Sequence, residues 1–394
     1  MAGAPGIEGA LTVRLQVAGG RVAAAHVAVR RPLAAARALN GRSAAEALKL
    51  VPLLFSVCST AQGVAALNAC EQALGTPVSP AQRIARDLAV LAETLASHGW
   101  HVLMDWPRLL EEAPSTEQLA ALRTVNGSLL AGLYPERDAL TLGGGGLLPK
   151  EAVLRLAVAR LDAHITQSVF GGAPCPATLA ELEAWAATGD TAAARLVGET
   201  LNSPHPGYGA TDVPLLAPRP AAWFAARLAA DPGFSHAPAT EDGPAVTGPA
   251  AAASGSPLVR DVAGRFGGNG LITLLAARLA ALADLPARMD AAIGTLLACG
   301  GGTDTATGAT GDGTGAAVVD TARGTLAHWV RMEGGTIADY RIAAPTEWNF
   351  HPGGTLARGL TGVEAGPGLH GLASRLITAL DPCVGWTLDI DRHG

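Results

Sequence analysis

The 394-residue chain carries 28 lysines and arginines against 34 aspartates and glutamates, which gives a net charge of −6 at pH 7. This balance argues against a nucleic-acid binder, because such proteins present a basic face. Hydrophobic residues make up 49% of the sequence, enough for a large core without disulfides or a structural metal. The 5 cysteines are odd in number and include no Cys-x-x-Cys pair, which argues against a disulfide framework.

Signals for export or membrane insertion are absent from the sequence. The N-terminus has no basic region followed by an apolar run, and the apolar residues 271–285 are interrupted by Arg278 and Asp284. No span of about 20 apolar residues remains, and no signal peptide is predicted. We therefore expect a protein of the reducing cytoplasm without membrane insertion.

The predicted elements are mostly helices, with two β-hairpins. Residues 11–29 alternate between apolar and polar around Ala18-Gly19-Gly20, which predicts a hairpin. Ser43 and Glu46 form a capping-box pattern at the start of a short helix. A second hairpin is predicted over residues 324–344. Further helices are predicted over residues 57–74, 79–101, from 114 onward, and over 149–169, 176–188, 220–230, 257–283 and 366–380.

Two segments have low complexity. Residues 238–257 are rich in Pro, Ala, Gly and Ser, and residues 299–316 are rich in Gly and Thr. Both are predicted to be surface loops or mobile linkers. No internal repeat is present, so the pattern favours one elongated domain.

Two cysteines have contexts that suit metal binding. Cys58 lies at a predicted helix start, where the pKa of a thiol is lowered and the thiolate becomes a good ligand or nucleophile. Cys383 follows Asp381-Pro382, and the proline ends a helix and leaves the thiol on an irregular segment. The alternative for each is a buried structural cysteine.

Five stretches, in the same order, are similar to motifs of the nickel-iron hydrogenase large subunit. They are Ile7-Glu8-Gly9-Ala10, Val57-Cys58-Ser59-Thr60-Ala61-Gln62, Ala322-Arg323-Gly324-Thr325-Leu326-Ala327-His328, Pro345-Thr346-Glu347-Trp348-Asn349 and Asp381-Pro382-Cys383. The resemblance covers almost the whole chain. It implies an α+β fold, mostly α: a single elongated helical domain over residues 1–394 with small β-hairpins.

The motifs depart from this family at the metal ligands. In the family, two pairs of cysteines hold nickel and bridge it to an iron that carries carbon monoxide and cyanide. Phe55 and Trp386 stand at two of these cysteine positions, so only Cys58 and Cys383 remain, and the histidine of the first motif is Gln62. Without two thiolates, nickel would be held weakly. We therefore expect neither bound nickel nor enzymatic activity, with the two rings filling the space of the nickel.

Residues around the metal are better preserved. By the same resemblance, Glu8 corresponds to a proton-transfer glutamate. Arg323 and Asp381 correspond to polar groups above the iron-bound ligands, where a guanidinium donates hydrogen bonds to cyanide. Glu93 is a further candidate for this polar group. The alternative for Arg323 and Asp381 is an ordinary structural ion pair.

This combination resembles the hydrogenase expression/formation proteins of the HupK/HoxV type. The resemblance implies an accessory scaffold that holds an iron with cyanide and carbon monoxide ligands and passes it to the large subunit. Hydrogenase maturation proteins, the large subunit or both would be its partners. The alternative is a metal-free structural or interaction subunit, similar to the complex I subunit of the same ancestry, in which Cys58 and Cys383 are relics.

Overall fold

Helices form most of the computed structural model, which describes residues 9–30, 36–299 and 313–392. The helices are α1 Ala44–Leu54, α2 Ser59–Leu74, α3 Pro80–Trp100, α4 Trp106–Leu109, α5 Thr116–Leu133, α6 Glu151–Ser168, α7 Leu179–Thr188, α8 Ala192–Leu201, α9 Ala221–Ala230, α10 Pro249–Ala252, α11 Pro257–Phe266, α12 Leu271–Ala298, α13 Pro345–Asn349, α14 Thr355–Leu360 and α15 Leu369–Leu380. Short helical turns of other types are Ser56–Cys58, His101–Asp105 and Pro232–Ser235. The strands are β1 Ala10–Ala18, β2 Arg21–Arg30, β3 Thr314–Thr321, β4 Gly324–Glu333, β5 Thr336–Ala343 and β6 Gly385–Arg392.

The strands form two small sheets. In the first sheet, β1 pairs antiparallel with β2 and parallel with β6. The second sheet is antiparallel, in the order β3-β4-β5. Both predicted hairpins are confirmed, and the first turns at Gly19 and Gly20, whose φ angles of 58° and 74° suit glycine. The predicted fold class, α+β and mostly α, is also confirmed.

The predicted helix starts agree with the structure where a local cap is present. At α1, the Ser43 hydroxyl accepts from the Glu46 N–H at 3.3 Å, and the Glu46 carboxylate accepts from the Ser43 N–H at 2.9 Å. These two bonds complete the capping box. At α3, the Ser79 hydroxyl accepts from the Gln82 N–H at 3.2 Å, and proline occupies the first helical position, where its missing N–H costs nothing.

The single helix predicted over residues 257–283 is wrong. The structure has α11 and α12 instead, separated by a turn at Gly267 and Gly268. The φ angles there, 82° and 45°, lie in the left-handed region, which side chains disfavour. A Cβ on Gly268 would lie 2.1 Å from the carbonyl oxygen of Thr211. The close approach of the Gly268 and Thr211 backbones therefore requires glycine. It ends α11, although the apolar pattern continues on both sides.

The surface loop predicted over residues 238–257 is also wrong for its second half. Val246 is 0% exposed and forms a parallel bridge with Leu215. The backbone N–H of buried Thr247 donates to the Asn349 side-chain oxygen at 2.9 Å. Composition indicated a loop, but bonds to residues far along the chain bury this segment.

Most of the loop predicted over residues 299–316 falls on residues 300–312, which lie outside the described part of the chain. Its last residues belong to β3, which pairs with β4 along its length. β3 packs closely on α2, since a Cβ on Gly315 would lie 2.0 Å from the carbonyl oxygen of Ala69. Neither β3 nor β6 was predicted. β3 begins inside the segment whose Gly/Thr-rich composition indicated a loop, and β6 depends on pairing with β1, which is distant in the chain.

The helix α12 is central to the largest hydrophobic cluster. It packs against α3, α6 and α11, with Leu275, Leu279 and Leu282 buried. A smaller cluster joins α1 and α2 to β4 and β5. Arg323, in the turn between β3 and β4, contacts α3 and the end of α15. The candidate site therefore lies where the helical core, the second sheet and the C-terminal segment meet.

Among the described residues, no single helix is both long enough and apolar enough to cross a membrane. Two consecutive helical segments, Ala44–Leu54 and Ser56–Leu74, meet that requirement together by length and composition alone, with a bend of 98° between them.

Candidate metal centre

Cys58 lies in the helical turn that precedes α2. The Gln62 side chain, one turn further along α2, places its Nε2 3.8 Å from the Cys58 sulfur. The first N–H groups of α2 donate to Glu93 on α3, Thr60 at 2.7 Å and Ala61 at 2.9 Å. Burial raises the pKa of Glu93, and these two bonds only partly oppose the shift. Cys58 is thus at a helix start, as predicted, but a carboxylate binds these N–H groups of the helix.

Cys383 follows the C-terminal end of α15. Asp381 adopts a φ of 60° at the helix cap, so the chain reverses sharply before Pro382. The Cys383 sulfur lies 3.0 Å from the Thr346 hydroxyl oxygen on α13. That oxygen also accepts from the Cys383 N–H at 3.3 Å. Thr346 therefore fixes both the backbone and the side chain of Cys383.

Arg323 connects the two cysteines electrostatically. Its Nε lies 3.0 Å from Asp381, and its NH1 donates to Ser97 at 3.3 Å. Burial alone would lower the pKa of this guanidinium. Asp381, Cys383, Cys58 and Glu93 outweigh burial and raise the pKa. Four groups from three separate segments thus act on one buried cation.

Asp381 is 1% exposed and contacts three basic side chains. Its carboxylate lies 2.7 Å from His101, 3.0 Å from Arg323 and 3.2 Å from Arg278. Burial would raise its pKa, but Arg323, His101 and Arg278 together hold the pKa well below the usual range. The ion pair expected between Arg323 and Asp381 is present, as part of a larger cluster.

The sequence interpretation missed Arg278 and His101 as members of this cluster. Arg278 is fully buried in α12, and besides Asp381 it binds the Ala379 carbonyl at 3.2 Å and the His98 ring at 3.1 Å. Burial lowers the pKa of Arg278. An arginine within an apolar helix was the available signal, because a buried charge requires a partner.

The remaining candidate residues lie around this centre or outside it. Asn349 holds the backbone of Arg323, since its Nδ2 donates to the Arg323 carbonyl at 3.3 Å. Glu8 lies outside the described residues. Phe55 belongs to the cluster of α1 and α2, whereas Trp386 lies on β6 beside the main core. That the two rings fill the space of a nickel ion stays a prediction.

The candidate metal donors are two sulfurs, with a guanidinium beside them that can donate hydrogen bonds but cannot bind a metal. Within the parts of the chain that the structure describes, no group of three or more His, Cys, Asp or Glu side chains could hold a metal ion. A bare divalent cation held by protein requires four or more ligands. Cys58 and Cys383 alone would not complete the coordination shell of a bare divalent cation.

Comparisons with known proteins relate the chain to hydrogenase formation proteins and to the hydrogenase fold. The family model for nickel-dependent hydrogenase matches residues 274–384. The hydrogenase expression/formation protein HupK of Azotobacter vinelandii is 30% identical over 403 residues, which cover 98% of this chain and 99% of the relative. The hydrogenase expression/formation protein HoxV of Cupriavidus necator is 30% identical over 398 residues, with 96% of each chain covered. A chain of the Ni-Fe-Se hydrogenase from D. vulgaris Hildenborough superposes with a TM-score of 0.67 at 17% identity, covering 94% of this chain and 95% of that chain, which shows a shared fold.

Proposed function

Because the chain belongs to the HupK/HoxV family of hydrogenase expression/formation proteins, we propose that it acts in hydrogenase formation as a non-catalytic scaffold. Its cargo is an iron that carries cyanide and carbon monoxide, bound through Cys58 and Cys383. The iron unit is held during assembly and then delivered to the hydrogenase large subunit. Hydrogenase maturation proteins, the large subunit or both are its partners, and the cytoplasm is its location.

One observation carries this proposal: Cys58 and Cys383, from opposite ends of the chain, both act on the guanidinium of Arg323. Two thiolates are enough for an iron whose other positions are filled by diatomic ligands. Arg323 donates hydrogen bonds to cyanide nitrogen, a charge-assisted contact. Asp381, through its contacts with Arg323 and Arg278, orients that guanidinium and balances the buried positive charge.

A second candidate function is a metal-free structural or interaction subunit. Its supporting observation is that the protein itself supplies three basic contacts to the Asp381 carboxylate. In that case the cluster would stabilise the fold, and the two cysteines would be relics. The two functions differ in whether the protein carries iron-bound diatomic ligands in its host.

Infrared spectroscopy of protein purified anaerobically from its native host distinguishes them. The scaffold should show carbonyl and cyanide stretching bands, and it should contain iron without stoichiometric nickel. Cys58→Ala and Cys383→Ala should each remove these bands, and Cys175→Ala is the matched control at a partly buried thiol elsewhere. Absence of the bands from wild-type protein, or normal host hydrogenase activity with both cysteine variants, would favour the metal-free subunit. Unchanged bands in both variants would instead refute Cys58 and Cys383 as the ligands of the iron.

Arg323→Ala tests the second part of the proposal. It removes hydrogen bonds to the cyanides but no bond to iron, so loading should be reduced rather than lost. The cyanide bands should shift while the carbonyl band persists. Loading as low as in the cysteine variants, together with a lower thermal midpoint, would indicate that Arg323 supports the fold instead.

A further inference from the structure

Each candidate sulfur ligand has a buried neutral side chain within hydrogen-bond reach. Gln62, 2% exposed, places its Nε2 3.8 Å from the Cys58 sulfur, and Thr346, 1% exposed, places its hydroxyl oxygen 3.0 Å from the Cys383 sulfur. The two side chains come from different helices, α2 and α13. We propose that Gln62 and Thr346 are positioning residues that donate hydrogen bonds to the two metal-bound thiolates and reduce the electron density that these sulfurs supply to iron. The inference deepens the proposed function and rests on it.

The direction of the Thr346 hydrogen bond follows from its second partner. The Thr346 oxygen already accepts the Cys383 N–H at 3.3 Å. A hydroxyl has one proton to donate, and a metal-bound thiolate is only an acceptor. The hydroxyl proton is therefore directed to the Cys383 sulfur.

The direction at Gln62 is set by a chain of buried side chains. The Gln62 side-chain oxygen lies 2.9 Å from His328 Nε2, and His328 Nδ1 lies 2.6 Å from the Tyr340 hydroxyl. Burial lowers the pKa of His328 to about 3, so the ring is neutral, with one donating and one accepting nitrogen.

With Cys58 bound to metal as a thiolate, one polarity satisfies every member of this chain. Tyr340 donates to Nδ1 of His328, Nε2 of His328 donates to Gln62, and the Gln62 amide donates to the Cys58 sulfur. A free amide could turn either way, but the histidine holds the oxygen of Gln62 away from the sulfur. His328 and Tyr340 therefore orient the donor without touching the metal ligand.

A hydrogen bond to a ligating sulfur changes the metal that the sulfur holds. It withdraws charge from the thiolate, so iron has less density to return to carbon monoxide, and the C–O bond strengthens. Removing either donor should shift the C–O stretch to lower wavenumber. Because the two donors lie on separate elements and contact different sulfurs, their small effects on the wavenumber should add.

Infrared spectra of protein loaded in its native host test this directly. Gln62→Met and Thr346→Val each remove a donor with little change in volume, and each should lower the C–O wavenumber, with the double variant giving the summed shift. Thr346→Ser keeps the hydroxyl and should restore the wild-type band. Thr355→Val is the matched control, because that buried hydroxyl binds Thr211 at 2.9 Å. An unshifted band in both Gln62→Met and Thr346→Val overturns the inference and leaves the scaffold function intact.

A measurement on unloaded protein separates the inference from the scaffold function. A donor to sulfur stabilises the thiolate, which is the form that alkylating reagents attack. At one neutral pH, mass spectrometry should find slower iodoacetamide labelling of Cys58 in Gln62→Met and of Cys383 in Thr346→Val, each effect confined to its own cysteine. If wild-type protein shows no C–O band, the scaffold function fails, and equal labelling rates in these variants and in Thr355→Val would then overturn the inference. If Thr346→Val does not fold, the hydrogen bond to Cys58 is tested alone. Gln62→Met and Tyr340→Phe are then compared by the same two measurements, and Tyr340→Phe removes the donor to His328.

Discussion

Acidification from pH 7 to pH 5 should destabilise the protein through His328. Burial lowers the folded-state pKa of this ring from 6.5 to about 3. The unfolded state therefore binds more protons between these values, and stability is lost as the pH falls below the unfolded pKa. At pH 5, about 1.5 units below that pKa, the loss is about 2 kcal/mol, since one unit corresponds to about 1.4 kcal/mol.

Matched substitutions isolate this contribution from that of other titrating groups. His328→Gln keeps a polar side chain but removes the titration, and His26→Gln removes an exposed histidine on β2. Urea unfolding at pH 7, 6 and 5 should show the stability advantage of wild type over His328→Gln shrinking by about 2 kcal/mol across the series. The His26→Gln variant controls for the loss of a histidine at an exposed site. A pH-independent gap between wild type and His328→Gln would refute a buried neutral histidine and with it the polarity inferred for Gln62.

Three further predictions concern stability, measured as the thermal midpoint. Asp381→Asn leaves Arg278 and Arg323 buried without their carboxylate, which should lower the free energy of unfolding by about 3–5 kcal/mol. Because a chain of 394 residues loses roughly 0.8 kcal/mol of stability per degree near its midpoint, the midpoint should fall by about 4–6 °C. An unchanged midpoint would contradict the buried cluster. Arg86→Met should lower the free energy of unfolding by a similar amount, because it leaves the buried Glu71 carboxylate, 2.7 Å from that guanidinium, without its partner. The double variant Arg86→Met with Glu71→Leu should recover much of this loss if the pair is buried as described. Gly315→Ala should lower the midpoint, since its Cβ would meet the Ala69 carbonyl, whereas Gly294→Ala, with open space around it, should be neutral or stabilising by up to about 1 kcal/mol.

Local sequence signals predicted the elements whose bonds are local. The capping box of Ser43 and the glycine turns of both hairpins are complete within a few residues, so the sequence contains all of their partners. β6 pairs with β1 in a parallel register that joins Trp386 to Leu11, and nothing near either strand specifies the other. The burial of Val246 was not predicted for the same reason, because its partner Leu215 lies outside the segment whose composition indicated a loop.

The candidate site likewise contains residues that the sequence predicts and contacts that it does not. Cys58, Cys383, Arg323 and Asp381 were found because short motifs carry them. The side chains that fix these groups, such as Gln62 and Thr346, come from inside those motifs but act through bonds that span 37 residues in one case and 266 in the chain to His328. A short motif identifies candidate ligands, whereas the direction of a hydrogen bond to them depends on the packed fold.

Under the proposed scaffold function, the anchors on either side of each sulfur indicate how the iron unit would leave the protein. Asp381 is held by three basic side chains, and β6 begins at Gly385 in register with β1, so Cys383 is fixed within a few residues on both sides. Cys58 is followed by N–H groups bound to Glu93. Moving either sulfur would therefore break buried charged contacts, each costly to leave unpaired. Release by opening of the fold is disfavoured, and transfer should proceed by exchange of the thiolates for ligands of the recipient while the scaffold stays folded.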